Sequence, residues 1–317
     1  MAAAQTKPKY AFFEGEIVPF EDAKVSVMTH SFNYGTGVFG GLRGYWSADE
    51  EQLFIFRPHD HFERLKQSAS LMRIDLPYTP QALTDILADL LRREGYRENC
   101  YVRPLAYKST EMIGVRLHDV DDAFTMFALP FGNYLPDEEG VHVGFSAWRR
   151  VEDNAIPARG KVVGAYANGA LIKSDAILAG YDEALVLNES GHVGEASAAN
   201  IFIVRKGVLI TPPVYSNVLE GIVRRSVMDI ARDLGIEVVE REIDRTEVYI
   251  ADEMFLCGTG VQISAITRVE HRPIGNAVMG EITRTLRDRF FEIVSGAVPA
   301  YRHWLTPVYI NEPAIIE

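Results

Sequence analysis

Apolar positions recur along the chain with two periods, and the period changes often. A spacing near 3.6 runs through residues 58–72, where Phe62, Leu65, Ala69 and Met72 share a face. It returns in 81–93 through Leu83, Ile86, Leu87, Leu90 and Leu91. Pro58 stands in the first turn of the first helix and Gly95 just past the second, where a fixed φ and a left-handed cap are favoured. A third helix is predicted through Leu171 and Ile172 to Ala179. A fourth runs from Gly221 to Leu234, with Ile222, Val223, Val227, Ile230 and Leu234 inward and Gly235 as its C-cap; a last one is marked by Ile282, Leu286, Phe290 and Ile293. Short alternating or apolar runs predict strands at 52–56, 100–107, 123–129, 141–148, 183–187, 201–205 and 237–242. A hairpin is predicted over 12–24 about a Glu14-Gly15 turn, and 183–187 and 201–205 read as neighbouring strands. The stretch from Pro130 to Gly140 has linker chemistry. It divides an α+β chain into a small N-terminal α/β domain over 1–131, a linker over 132–140 and a larger C-terminal domain over 141–317.

Composition narrows the function classes. At 317 residues, 47% of them hydrophobic, the chain suits two domains or one large one with an ample core. A formal charge of −12 argues against nucleic acid or an anionic membrane as the main partner, though local Arg and Lys clusters can still hold a small anion. Cys100 and Cys257 stand in no CxxC or metal spacing, which fits a reducing compartment, and no metal is expected. Residues 1–10 lack the apolar core of a signal peptide and no apolar run is long enough to span a bilayer, so a cytoplasmic protein is expected.

Candidate chemistry concentrates between Glu195 and Arg224. A carboxylate at Glu195, an amide at Asn200 and a glycine-led helix start, Leu219-Glu-Gly221-Ile-Val-Arg224, stand in register around a strand ending Leu209-Ile-Thr211. A helix N-terminus with free N–H groups and a positive dipole end seats a phosphate. A carboxylate held in the same pocket keeps a ring nitrogen protonated. Those two demands together describe pyridoxal 5′-phosphate, which carries an anionic tail and a basic pyridine nitrogen.

Other stretches carry weaker signals. His30-Ser-Phe-Asn-Tyr34-Gly35-Thr-Gly37-Val-Phe39-Gly40-Gly41-Leu-Arg43 interleaves glycines with aromatics, which suggests either close backbone approach or a bulged strand leading into a helix turn. Tyr101 and Arg103 share one face of their strand, either a pocket face or a solvated one. Lys161 sits among small and apolar residues, where desolvation lowers an amine pKa and favours Schiff-base chemistry; a plain surface lysine reads the same way. Gly258-Thr259-Gly260 is a loop of exposed N–H groups and one hydroxyl, a weak anion nest.

The 195–224 stretch resembles the class IV pyridoxal-phosphate aminotransferase signature: Glu-x-small-x-x-Asn-apolar-aromatic, then apolar-x-Thr, then apolar-x-Gly-apolar-x-basic. Every fixed position is present. The resemblance extends from Phe12 to about Ile293. It includes His61-Phe-Glu-Arg64-Leu, Tyr101-Val-Arg103-Pro, Lys161 with Tyr166 five residues on, and the glycine-rich loop. It implies the fold type IV (D-amino acid aminotransferase-like) architecture and is nearest to the branched-chain-amino-acid aminotransferases. By that resemblance Lys161 forms the Schiff base and shuttles a proton, Glu195 pairs with the pyridine nitrogen, and Tyr166 binds the ring oxygen. Arg64, the N–H groups of Ile222 and Val223, and Thr259 hold the phosphate, with Leu219 and Gly221 completing the cofactor set. Tyr34, Phe39, Arg43, Tyr101, Arg103, Phe131, Tyr134, Gly260 and Val261 are the implied substrate residues: Tyr34, Phe39, Phe131 and Tyr134 suit an aliphatic side chain, Arg103 and Arg43 a second carboxylate.

The implied reaction is a ping-pong transfer of the amino group of Leu, Ile or Val to 2-oxoglutarate, as in branched-chain amino acid biosynthesis, by a homodimer or higher homo-oligomer. Six positions, at four places in the chain, depart from the pattern of relatives. Gly40 stands in place of Glu, Val223 in place of Thr, Gly260-Val-Gln262 in place of Ala-Ala-Glu, and Phe131 where some relatives have Trp. The alternatives are a same-fold transaminase for D-amino acids or (R)-amines, the 4-amino-4-deoxychorismate lyase of this fold, and a binding protein without activity.

Overall fold

The computed structural model describes residues 6–132, 135 and 140–309; Tyr134 and much of the 132–140 stretch lie outside the described residues. Contacts divide the chain into two units, one of residues 1–33, 39–132 and 292–317, the other of 34–38 and 133–291.

The first unit opens with the predicted hairpin, β1 (Tyr10–Phe13) and β2 (Glu16–Pro19). Glu14 and Gly15 both take positive φ, 51° and 87°, the mirror-image turn whose twist matches that of the flanking strands. Strands β3 (Leu42–Ser47) and β4 (Gln52–Phe56) follow. Helices α1 (Pro58–Leu71) and α2 (Pro80–Glu94) come next and pack on each other. Their apolar faces are the predicted ones: Phe62, Leu65 and Ala69 on α1, and Leu83, Leu87, Leu90 and Leu91 on α2, are buried. Thr79 caps α2 by accepting the Ala82 N–H (3.1 Å), and Gly95 closes it at φ 74°. The long hairpin β5 (Cys100–Lys108) and β6 (Asp122–Pro130) completes the strands made early in the chain.

The second unit holds β7 (Val141–Arg149), β8 (Glu183–Leu187), β9 (Val193–Ala196), β10 (Asn200–Arg205), β11 (Val208–Thr211), β12 (Val238–Glu240), β13 (Glu253–Gly258) and β14 (Gln262–Val269). Their order across the sheet is β9-β8-β7-β14-β13-β10-β11-β12. The β7–β8, β7–β14 and β11–β12 pairs are parallel and the rest antiparallel. Helix α3 (Tyr166–Leu178) joins β7 to β8, and its Ile172 and Ala176 pack on Ala184 and Val186. Helix α4 (Ile222–Asp233) joins β11 to β12. Val143, Leu185, Ile201, Ile203 and Leu256 lie in one buried cluster. The alternating residues Phe202 and Phe255 stack on the other face of the sheet, ring centroids 5.0 Å apart.

The expectation that 183–187 and 201–205 are neighbouring strands is corrected. Strands β8 and β10 are separated by β7, β14 and β13. Between them in sequence lies β9, Val-Gly-Glu-Ala, whose four residues are all buried and therefore lack the alternation that marks a strand.

Helix α5 (Glu281–Val294) buries Leu286, Phe290 and Ile293, and the chain ends its described course with β15 (Leu305–Pro307), the edge strand of the first sheet beside β4. That sheet runs β15-β4-β3-β5-β6-β1-β2, every pair antiparallel.

Candidate active site

In the second unit the 195–224 stretch folds into a knot of buried polar contacts. Glu195 on β9 is 4% exposed. Its Oε1 receives Arg150 Nη2 at 2.8 Å; its Oε2 receives Asn200 Nδ2 at 3.0 Å and the Leu219 N–H at 3.2 Å. Burial pushes the carboxyl above the usual range, and Arg150, the Leu219 N–H, Lys161 and Arg224 pull it back down, in that order of weight. A carboxylate offers about four lone-pair directions and three are taken, so one remains for a further donor.

Asn200 opens β10 and has a second task. Its Nδ2 also donates to the Leu219 carbonyl at 2.9 Å, and its Oδ1 fills the space where a Cβ on Gly221 would sit, 2.1 Å away. Glycine at 221 is thus required by space. Gly221 is the N-cap of α4 and supplies no side-chain cap, so the first-turn amides, Ile222 and Val223 included, are left for an anion. The remaining fixed residues of the signature anchor the helix. Thr211 Oγ1 donates to the Ile201 carbonyl (2.8 Å). Arg224, 4% exposed, reaches Thr211 Oγ1 (3.4 Å), the Pro212 carbonyl (2.9 Å) and Glu240 (2.6 Å).

Lys161 Nζ donates to Tyr166 Oη at 2.5 Å, the phenol standing at the first residue of α3. Arg159, two residues earlier, pairs with Glu220 at 3.2 Å, which brings the lysine segment beside the α4 start. The 34–38 segment runs along the other flank: Gly164 N–H donates to the Gly35 carbonyl (3.1 Å) and Val38 bridges Val162. A Cβ on Gly35 would lie 2.8 Å from Gly164 Cα, and Gly35 takes φ 67°. The close approach suggested by the glycine-rich stretch is therefore an approach to the lysine segment, with Tyr34 at its start. Thr259, Gly260 and Val261 form the turn between β13 and β14, and Asn200 faces Cys257 across the β10–β13 ladder. Burial pushes the Cys257 thiol up to about 12, so it stays protonated and inert.

In the first unit a different cluster forms on β5. Tyr101 and Arg103 do share a face: Arg103 Nη2 donates to Tyr101 Oη at 3.0 Å, and the guanidinium lies 4.5 Å from the Phe39 ring centroid. Phe131 packs against Tyr101 at 5.3 Å. Arg43 is 2% exposed; its Nη2 donates to the carbonyls of Phe131 and Gly132, its guanidinium lies 5.1 Å from the Phe131 ring, and its Nε is buried with no acceptor among the described residues. Gly40 donates its N–H to the Pro104 carbonyl (2.9 Å), and a Cβ there would meet the Pro104 ring at 2.7 Å, so the departure at 40 is tied to packing. Arg64 stands half-buried on α1, its carbonyl accepting Ser68 Oγ. Sequence reasoning missed Arg150 as a site residue. At the end of a strand, after Trp148-Arg149, it reads as a solvated charge, and no local pattern marks the buried carboxylate that it meets.

An uncapped helix start, a buried carboxylate with one open lone pair and a lysine bonded to a phenol are the fittings of a fold type IV pyridoxal-phosphate enzyme. The comparisons agree. Residues 37–269 match the family model described as "Amino-transferase class IV". The chain is 44% identical over 301 residues to a "Probable branched-chain-amino-acid aminotransferase" of Aquifex aeolicus, covering 95% of this chain and 97% of that one. It is similar to the crystal structure of a branched-chain aminotransferase from Thermoproteus uzoniensis with norvaline: TM-score 0.92, 41% identity, 96% of this chain and 100% of that one. It is also similar to the crystal structure of the T.th. branched-chain amino acid aminotransferase complexed with N-(5′-phosphopyridoxyl)-L-glutamate: TM-score 0.90, 39% identity, 96% and 100%. The chain belongs to the class IV aminotransferases. It is a transferase of the fold type IV group and uses pyridoxal phosphate. Among the described residues no helix is long and apolar enough to cross a membrane.

Proposed function

We propose that this enzyme moves the amino group of leucine, isoleucine or valine to 2-oxoglutarate in two half-reactions, with Lys161 as its Schiff-base lysine. The observation that carries the reading is the grouping of Lys161–Tyr166 with the three-donor Glu195 carboxylate in one unit. When bound, pyridoxal phosphate supplies an electron-withdrawing ring that makes the substrate Cα–H acidic. Lys161 Nζ holds and moves the proton at Cα, with Tyr166 Oη orienting the amine. Glu195 offers its open lone pair to the ring nitrogen, and the amides of Ile222 and Val223, with Thr259 and Arg64, hold the phosphate. Leu219 acts through its backbone, gripping Glu195 and Asn200.

The pocket must accept an uncharged branched chain and a second carboxylate in turn. On the first unit, Phe39, Tyr101 and Phe131 offer aromatic faces and Arg103 a permanent charge to substrate, while Arg43 braces the backbone at 131–132; on the second, Tyr34, Gly260 and Val261 are the substrate residues we propose. The relatives described with norvaline and with phosphopyridoxyl-L-glutamate support both demands. The assembly we propose is a homodimer, seated on an exposed apolar patch of the first unit. Val25, Val27, Met28 and Phe32 lie there beside Ile113 and Val115, the two segments tied by the Thr29–Glu111 bridge and the His30–Gly114 hydrogen bond (2.7 Å). Half-reaction rates with L-Leu, L-Ile, L-Val, D-Ala and (R)-1-phenylethylamine, each followed by 2-oxoglutarate or pyruvate, test the assignment. Preference for D-Ala or the amine overturns it.

A further inference from the structure

Arg150 lies just past the end of β7 and is 13% exposed at its side chain. Two of its three guanidinium nitrogens bond groups in the interior: Nη2 on Glu195 Oε1 at 2.8 Å, and Nε on the Asn217 carbonyl at 3.1 Å. Asn217 in turn sits in the left-handed region, φ 61° and ψ 34°, and is 5% exposed. Asn is the non-glycine residue that adopts this conformation most readily. Its side chain is held at both ends, Nδ2 donating to Glu189 and Oδ1 accepting the Asp153 N–H at 3.3 Å. The turn therefore presents one carbonyl, in a fixed direction, to one guanidinium.

We propose that Arg150 is a positioning residue, which holds the Glu195 carboxylate ionised and aimed before the cofactor arrives, and that the left-handed turn at Asn217 aims Arg150. This rests on reading Glu195 as the partner of the ring nitrogen. The groups that face Glu195 are Arg150, Lys161 and Arg224, with the Cys257 thiol also near; Arg150 is the one in ion-pair contact. Removing one partner of a buried pair leaves the other charge uncompensated, and a carboxyl answers by taking up a proton.

The sign of the pH effect follows. The ring nitrogen of the free cofactor is protonated near neutral pH. Against an ionised Glu195 the ring nitrogen binds with no proton exchanged, so this contact adds no pH dependence of its own, and the phosphate, whose second pKa is about 6, contributes the same slope to wild type and variants. Against a protonated carboxyl one proton must leave, so affinity rises with pH by up to about tenfold per unit below the raised pKa.

The test is Arg150→Met in the full chain, read in two ways. Infrared difference spectra against Arg150→Met/Glu195→Gln should show the stretch of a protonated carboxyl at neutral pH, absent when wild type is compared with Glu195→Gln. Titration of the cofactor-free chain with pyridoxal phosphate should show weaker binding that strengthens as pH rises. Arg150→Lys keeps the charge without the fork and should restore the wild-type pH profile. Asn217→Gly keeps the turn but frees the carbonyl, and should weaken binding about threefold to tenfold with the wild-type pH profile unchanged.

An unprotonated carboxyl in Arg150→Met, with a pH-independent loss of affinity, would overturn the proposal and leave Glu195's role intact. A protonated carboxyl with wild-type affinity at every pH would support Arg150's hold while refuting Glu195 as the ring partner. If Arg150→Met does not fold, wild-type affinity in both Arg150→Lys and Asn217→Gly would overturn it.

Discussion

Glu195 in the second unit and Arg103 in the first are held by opposite means. Glu195 is gripped by three hydrogen-bond donors from three separate segments, at Arg150, Asn200 and Leu219. Arg103 has one phenol and the face of a phenylalanine ring. Charge-assisted hydrogen bonds are directional and stiff, each contributing about 1.5–3 kcal/mol. A guanidinium over an aromatic ring is worth about 0.5–2 kcal/mol and tolerates sliding. The first arrangement suits a group whose position must not change through the reaction. The second suits a group that must meet a carboxylate in one half-reaction and an alkyl chain in the other.

Four substitutions break or sharpen that contrast. Lys161→Ala should remove turnover, a loss on the order of 10⁴-fold or more, because one amine is asked to bond the cofactor and to carry the proton. The protein should still fold and bind cofactor non-covalently; residual activity within about tenfold of wild type would end the assignment.

Glu195→Gln should slow turnover by on the order of a hundredfold or more. The loss has two parts, the missing charge and a new NH2 that must face Arg150, Asn200 or the Leu219 amide, all donors. A near-normal half-reaction with L-Leu would show that Glu195 does not serve the ring nitrogen. Arg103→Met should weaken 2-oxoglutarate or L-Glu by roughly 2–4 kcal/mol and change the L-Leu half-reaction far less. Equal losses on both sides would place Arg103 at the α-carboxylate or in the support of β5.

The smallest effect expected is structural. Gly221→Ala pushes a methyl against Asn200 Oδ1 and should cost about 1–3 kcal/mol, read as a thermal midpoint several degrees lower. An unchanged midpoint would show that Asn200 can swing away, and that the second unit is softer than its hydrogen bonds suggest.

Much of this was legible in the chain. The helices at α1, α2, α4 and α5 follow from the 3.6 period, and the turn at Glu14-Gly15 from its chemistry. The signature located Glu195 and the α4 start because its residues are neighbours in sequence as well as in space. Strand β9 escaped because, buried on both faces and only four residues long, it shows no alternation. Its absence is what made β8 and β10 look adjacent. Arg150 escaped for a related reason: the burial of a charge depends on a partner 45 residues away, and no local period reports it.

The hydrogen bond from Gly164 to the Gly35 carbonyl also bears on how the molecule is made. The 34–38 segment leaves the ribosome long before the rest of the unit to which it belongs. Until the lysine segment is synthesised, those residues have no place to dock, and closing so long a loop is an entropic cost borne before the contact repays it. The amine site is thus assembled late, and a nascent chain stalled before Gly164 carries residues 34–38 without the Gly164 contact.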